Sequence, residues 1–238
     1  MLVEVCVQNL EAAVIAAEAA ADRLELCENL AVGGVSPSVG LLQEIQSLID
    51  IPIHVLVRPR EGGFIYSVSE YETILQEIDR YKKLGVAGIV VGILKEDQSI
   101  DLIRINEIRR RTKDLHLTFH RAFDQVSNPV QAIKDLEGIG VNTILTSGQR
   151  NTALEGLDLL EELKEMAGEI TIMPGAGINP DNIGVFKDAG FKAIHFSGTR
   201  KKGVAPGIPG SRLDNHNLKE IKLELEPDWV RSMIKCVK

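Results

Sequence analysis

Two acid–thiol pairs carry the plainest chemistry in this chain. Glu4 and Cys6 stand two residues apart in one short apolar run, and Glu25 and Cys27 stand two apart in another. Side chains alternate along a strand, so each pair shares a face. A carboxylate held out of water needs a partner and is a candidate proton donor or acceptor. Arg58 or Arg60, ending a third run, is the expected partner. Paired thiols are soft ligands that select Cu(I) or zinc. Met173, His120 and His195 end further apolar runs and could add ligands. Against the metal reading, free cysteine often packs as a small hydrophobe, and no CxxC spacing tightens it.

The remaining candidates also sit where apolar runs end. Thr118-Phe119-His120-Arg121-Ala122-Phe123-Asp124 sets a histidine, an arginine and an aspartate together. His120 is a candidate acid or base acting on a substrate clamped by Arg58. His195 has the same standing, whereas His54 and His116 lie at strand starts and read as structural. His216 reads as a solvated tail residue. Gly175-Ala176-Gly177 and Ser197-Gly198 expose backbone N–H groups to an anion, and Thr146-Ser147-Gly148-Gln149 adds hydroxyl and amide donors. No strand end carries a lysine for Schiff-base chemistry.

These residues need a scaffold that gathers them, and the pattern supplies one. Eight apolar runs alternate with helical stretches: 2–7, 23–28, 53–60, 88–94, 116–123, 143–147, 170–173 and 193–197. Strand-then-helix order implies a parallel sheet. Eight units in 238 residues predict one (β/α)8 TIM barrel across 1–238, with the strand C-termini meeting at one face. A repeated turn supports it: Leu84-Gly85-Val86, Ile139-Gly140-Val141 and Ala189-Gly190-Phe191 each precede a strand, with Ala20-Ala21 as a degenerate copy. Helix starts are read at Asn9, Ser36-Pro37, Ser69 with Glu72, Asn128-Pro129 and Asn179-Pro180. The stretch 199–238 reads as an irregular loop rich in glycine and proline, then a short helix opened by Pro227.

Composition excludes several classes. A net charge of −7 argues against nucleic acid or an anionic membrane as main partner. No apolar stretch has spanning length, and the opening residues carry no secretory pattern, so a cytoplasmic protein is expected. Three cysteines, at 6, 27 and 236, are too few for a disulfide framework.

Long phrases of the chain resemble the copper homeostasis protein CutC family. They are Leu2-Val3-Glu4-Val5-Cys6, Asp22-Arg23-Leu24-Glu25-Leu26-Cys27, Gly33-Gly34-Val35-Ser36-Pro37-Ser38, and Arg58-Pro59-Arg60 with Phe64-Ile65-Tyr66-Ser67. The run from Thr118 to Asp124, Leu145-Thr146-Ser147-Gly148-Gln149 and Ile172-Met173-Pro174-Gly175-Ala176-Gly177-Ile178 complete the set. The likeness runs in order from residue 2 to about 200, and the tail is only loosely similar. Ala176 stands where the family commonly has the middle of three glycines. The resemblance implies a cytoplasmic TIM barrel, usually a homo-oligomer, with a role in copper tolerance and with Cys6 and Cys27 as Cu(I) ligands.

Two functional expectations follow. One is copper homeostasis through Cu(I) at Cys6 and Cys27. The other is a lyase- or isomerase-type enzyme on a small phosphorylated or carboxylated metabolite. There Glu4 or Glu25 would be the base and His120 the acid. Arg58 and Arg60 would clamp the anion, and Gly175, Gly177 and Gly198 would cradle phosphate. Arg121, Asp124, Ser147, His195 and Ser197 would border the ligand.

Overall fold

The computed structural model describes residues 1–204 and 221–238, with side chains at 1–199 and 225–238. Eight short strands make one sheet: β1 (Leu2–Val7), β2 (Arg23–Leu26), β3 (Ile53–Leu56), β4 (Gly88–Val91), β5 (His116–Phe119), β6 (Thr143–Thr146), β7 (Thr171–Pro174) and β8 (Ala193–Phe196). Their order is β7-β6-β5-β4-β3-β2-β1-β8, every pairing is parallel, and β7 packs beside β8. The eight strands therefore form a nearly closed TIM barrel. Several strands end two to four residues earlier than the apolar pattern suggests. Arg58, Arg60 and His120 thus stand just past strand ends, in the loops of the C-terminal face.

Helices α1 (Leu10–Glu18), α2 (Val39–Gln46), α3 (Val68–Lys83), α4 (Leu102–Arg111), α5 (Pro129–Ile139), α6 (Leu157–Met166), α7 (Ile183–Asp188) and α8 (Pro227–Val237) alternate with the strands. They lay Ile74, Ile78, Ile105, Leu136, Leu160 and Phe186 against the barrel, all buried. Asn9 caps α1 through Ala12 N–H, and Asn128 caps α5 through Gln131 N–H with Pro129 in the first turn. Three starts differ from the sequence reading. Ser38, not Ser36, caps α2. The capping box is Ser67 with Glu70, one Ser-x-x-Glu earlier than Ser69 with Glu72. Asn179 bonds Asp181 N–H in a turn, and α7 begins only after Asn182.

The repeated glycine turn is a left-handed helix end. Gly85, Gly140 and Gly190 have φ of 74°, 85° and 76°, and the degenerate copy keeps the conformation with Ala20 at 66°. After β8 the chain is more regular than its composition suggests. β9 (Thr199–Val204) pairs antiparallel with β10 (Ile221–Leu225), and α8 follows. The glycines and prolines at 206–210 and His216 lie outside the described residues.

Candidate functional site

Strand register places the chemistry. β1 sets Glu4 beside Arg23 of β2 and His195 of β8, and sets Cys6 beside Glu25. All five point into the barrel, where a polar chain forms. Arg23 Nε lies 2.6 Å from Glu4 Oε2, His195 Nδ1 lies 2.8 Å from Glu4 Oε1, and His195 Nε2 lies 3.6 Å from Glu25 Oε2. Arg23 also reaches Met173 Sδ at 3.7 Å. One layer up, Cys6 Sγ and Cys27 Sγ stand 3.6 Å apart and pack on Leu56 and Val90. The donor atoms of Cys6, Glu25 and His195 all lie within 4.8 Å of one another.

The expected partner for the buried carboxylates was Arg58 or Arg60; the structure uses Arg23 instead. Arg58 spends both terminal nitrogens on carbonyls, with Nη1 donating to Val32 O and Gly34 O and Nη2 to Gly62 O, while its buried Nε has no partner among the described residues. It pins two loops together. Arg60 pairs with Glu70 at 2.5 Å and donates to Gly63 O and Ile65 O. Sequence reasoning missed Arg23, although Arg23, Glu25 and Cys27 alternate on one face.

Burial and charge divide the protons. Burial alone would raise Glu4, but the hydrogen bond from His195 and the charges of Arg23, His195 and His54 outweigh it and hold the carboxyl far below its usual range. Glu25 is raised, chiefly by burial and then by the Glu4 charge, with His195 opposing. Burial would lower His195, but Glu25 and Glu4 overcome it and raise its pKa. The Cys6 thiol is pushed up by its hydrogen bond with Cys27, by burial, and by Glu25. His54 is held down to about 3 by burial, and His116 to about 4. The His120 imidazole is pushed to about 3 by burial and the Arg58 charge, so it is neutral at pH 7 and no imidazolium acid.

A cavity of about 520 Å³ opens above this floor, a size typical of small-ligand sites. Cys6, Glu25, Cys27 and His195 border it from β1, β2 and β8. Arg58, Phe64, His120 and Arg121 border it from the loops after β3 and β5. Ala176, Gly177, Ser197, Gly198 and Trp229 of α8 also border it, at the rim. Four proposed site residues do not line it besides Arg60. Glu4 is fully buried beneath. Asp124 accepts from Thr146 Oγ1, Ser147 N–H and Arg121 Nε, and so shapes the loop after β6. Ser147 Oγ bonds Asp124 and the Arg150 carbonyl. Gly175 N–H bonds Thr146 O, and a Cβ there would meet Leu145 Cδ1 at 2.5 Å.

Ala176, Gly177 and Gly198 have φ of 85°, 71° and 60°, and their N–H groups make no hydrogen bond among the described residues. Asn182 and Asn179 hold the Gly177 carbonyl from the other side at 2.9 and 3.1 Å.

Comparison with known proteins settles the family. The CutC family model matches residues 1–200. The chain belongs to the CutC family. The family protein CutC of Enterobacter sp. (strain 638) is 41% identical over 196 residues, covering 82% of this chain and 79% of that protein. CutC of Glaesserella parasuis serovar 5 (strain SH0165) is 34% identical over 240 residues, 100% of this chain and 99% of that one. The CutC structure from Streptococcus agalactiae, named there for copper homeostasis, superposes with a TM-score of 0.77 at 34% identity, covering 82% of this chain and 97% of that one. The stretch matched by the CutC model holds the whole floor and rim except Trp229.

Proposed function

We propose that this CutC chain serves copper homeostasis by holding Cu(I) at the cavity floor through Cys6 and Cys27. The observation that carries the reading is the 3.6 Å approach of two thiols bordering an open cavity. Thiolate sulfur is the donor that selects Cu(I). Glu25 and His195 stand close enough to complete the set. Glu4 holds His195 through Nδ1, as carboxylates hold metal-bound histidines, and leaves Nε2 facing the floor. Binding must displace thiol protons, so affinity falls in acid. A cytoplasmic, homo-oligomeric protein belongs to this reading. Anaerobic Cu(I) titration against a competing chelator tests it. Tight, stoichiometric binding that disappears in Cys6→Ser/Cys27→Ser is the expected result; binding indifferent to the double substitution would sink it.

A second reading rests on a different observation. Glu25 and His195, each of whose charges favours the other's ionisation, share one cavity with Arg121 and with Ala176, Gly177 and Gly198. Such a site suits proton transfer on a small phosphorylated or carboxylated metabolite, in a lyase or isomerase type of reaction. Glu25 is then the acid–base group, and Glu4 orients His195. A metabolite that turns over with wild-type protein and not with folded Glu25→Gln would support this reading; equal turnover in both would exclude it.

A further inference from the structure

We infer that His120 is a neutral Nε2–H donor that, with Arg121, forms a subsite for a carboxylate or oxo oxygen of a small organic acid. The inference deepens the second reading, from which it takes the anionic ligand, and needs no copper.

The hydrogen bonds of the ring assign its proton. His120 Nδ1 lies 3.1 Å from the backbone nitrogen of Ala122, in the 3-10 turn Arg121–Gln125. An amide N–H only donates, so Nδ1 accepts. In a neutral imidazole the proton then sits on Nε2. Burial and the neighbouring Arg58 cation keep the ring neutral, at about 3. The tautomer is therefore fixed by the backbone, not by the ligand.

That Nε2–H is buried and has no partner among the described residues. The ring is packed on two sides. Gly92 lies against it, and a Cβ there would stand 2.5 Å from both Cε1 and Nδ1. Phe64 lies on it at 4.8 Å between ring centroids, tilted by 50°. A buried donor left unmet costs free energy, so proteins retain one mainly where function uses it. His120 and Phe64 both border the cavity while Nε2 itself is closed off behind its wall, so the acceptor it lacks is a ligand oxygen that enters as a lining side chain gives way. A neutral, fixed N–H favours developing negative charge on oxygen without giving up its proton. Arg121, the next residue, supplies the cation. It borders the same cavity, with Nε on Asp124 at 2.8 Å and Nη2 on Ser147 Oγ at 3.1 Å holding its guanidinium in place.

The test uses the full chain, copper-free and labelled with nitrogen-15 at histidine. Between about pH 5.5 and 8, His120 should give the signature of a neutral Nε2–H ring, and that signal should move on titration with oxalate or pyruvate. His120→Gln keeps an N–H near the Nε2 position and should retain oxalate affinity within about threefold. His120→Phe removes the donor and should weaken it by about tenfold or more. An Nδ1–H ring or an imidazolium in that range overturns the inference. So does absence of binding by both acids, binding that leaves the His120 signal in place, or wild-type affinity in the folded Phe variant. If the Phe variant fails to fold, the tautomer and titration of the wild type decide. Binding of these acids without turnover leaves the subsite standing, because the enzymatic reading is decided by the Glu25→Gln comparison; failure of Cu(I) to bind touches neither.

Discussion

Glu4 Oε1 lies 2.8 Å from His195 Nδ1, so a fully buried carboxylate of β1 fixes the ring that β8 presents to the cavity. The same carboxylate holds Arg23 at 2.6 Å, which is 6% exposed. Glu4→Gln therefore leaves a buried cation without its counter-charge and frees the His195 ring. Breaking a buried pair from one side costs about 3–5 kcal/mol. Urea unfolding should show a loss of that order. Adding Arg23→Met should restore much of it, because the cost lies in the stranded charge. A Glu4→Gln protein as stable as wild type would mean that the pair is not what holds this layer.

The barrel was legible because parallel strands buried on both faces read as short apolar runs, and because glycine turns punctuate three of them. The convergence of Cys6, Glu25, Cys27, His120 and His195 followed from strand ends alone. Register did not. Glu4 faces Arg23, and Cys6 faces Glu25, a pairing of β1 with β2 that no local pattern records. Arg58 and Arg60 looked like anion clamps because they end a strand. Their guanidiniums turn instead to loop carbonyls and Glu70, partners whose positions depend on loop paths after β2 and β3. The two overlapping Ser-x-x-Glu pairs before α3 show the same limit. Ser67 is the serine whose partner, Glu70, also takes Arg60 from the loop after β3, a contact no local pattern records.

The buried histidines set a pH window. Burial holds His54 and His120 near 3 and His116 near 4, against an ordinary value of 6.5. Each is neutral when folded and charges on unfolding below 6.5. Their contribution to stability is complete above 6.5 and is lost as pH falls towards 3 or 4. Glu4, depressed below its usual range, adds loss in the same direction beneath about 4.5, while the raised Glu25 opposes it. Each proton taken up on unfolding steepens the decline by about 1.4 kcal/mol per pH unit. Thermal unfolding should therefore show Tm falling steeply between pH 6 and 4.5, and His116→Gln should flatten the fall. A Tm flat across that interval would contradict the neutral, buried assignment.

Ala176 is the strained point of the cavity rim. Its φ of 85° lies in the left-handed region, where a Cβ crowds the following carbonyl. The conformation is imposed by its neighbours: Ala176 O accepts from Ala153 N–H at 2.9 Å, and Gly177 O is held by two asparagines. A non-glycine residue there costs about 1–2 kcal/mol. Glycine removes that strain and gives back part of it, about 0.4–1 kcal/mol, through the freer unfolded chain. Ala176→Gly should then stabilise the protein by about 1 kcal/mol or less, read as a higher urea midpoint with unchanged slope. Gly148→Ala is the opposite case. Its φ is 69°, and a Cβ would run into the Gly156 carbonyl, which is backbone and cannot swing aside. That substitution should destabilise by several kcal/mol, on the scale of a left-handed strain plus overpacking. If Ala176→Gly lowered the midpoint, the rim would owe its shape to the alanine methyl, and the strain argument would be wrong.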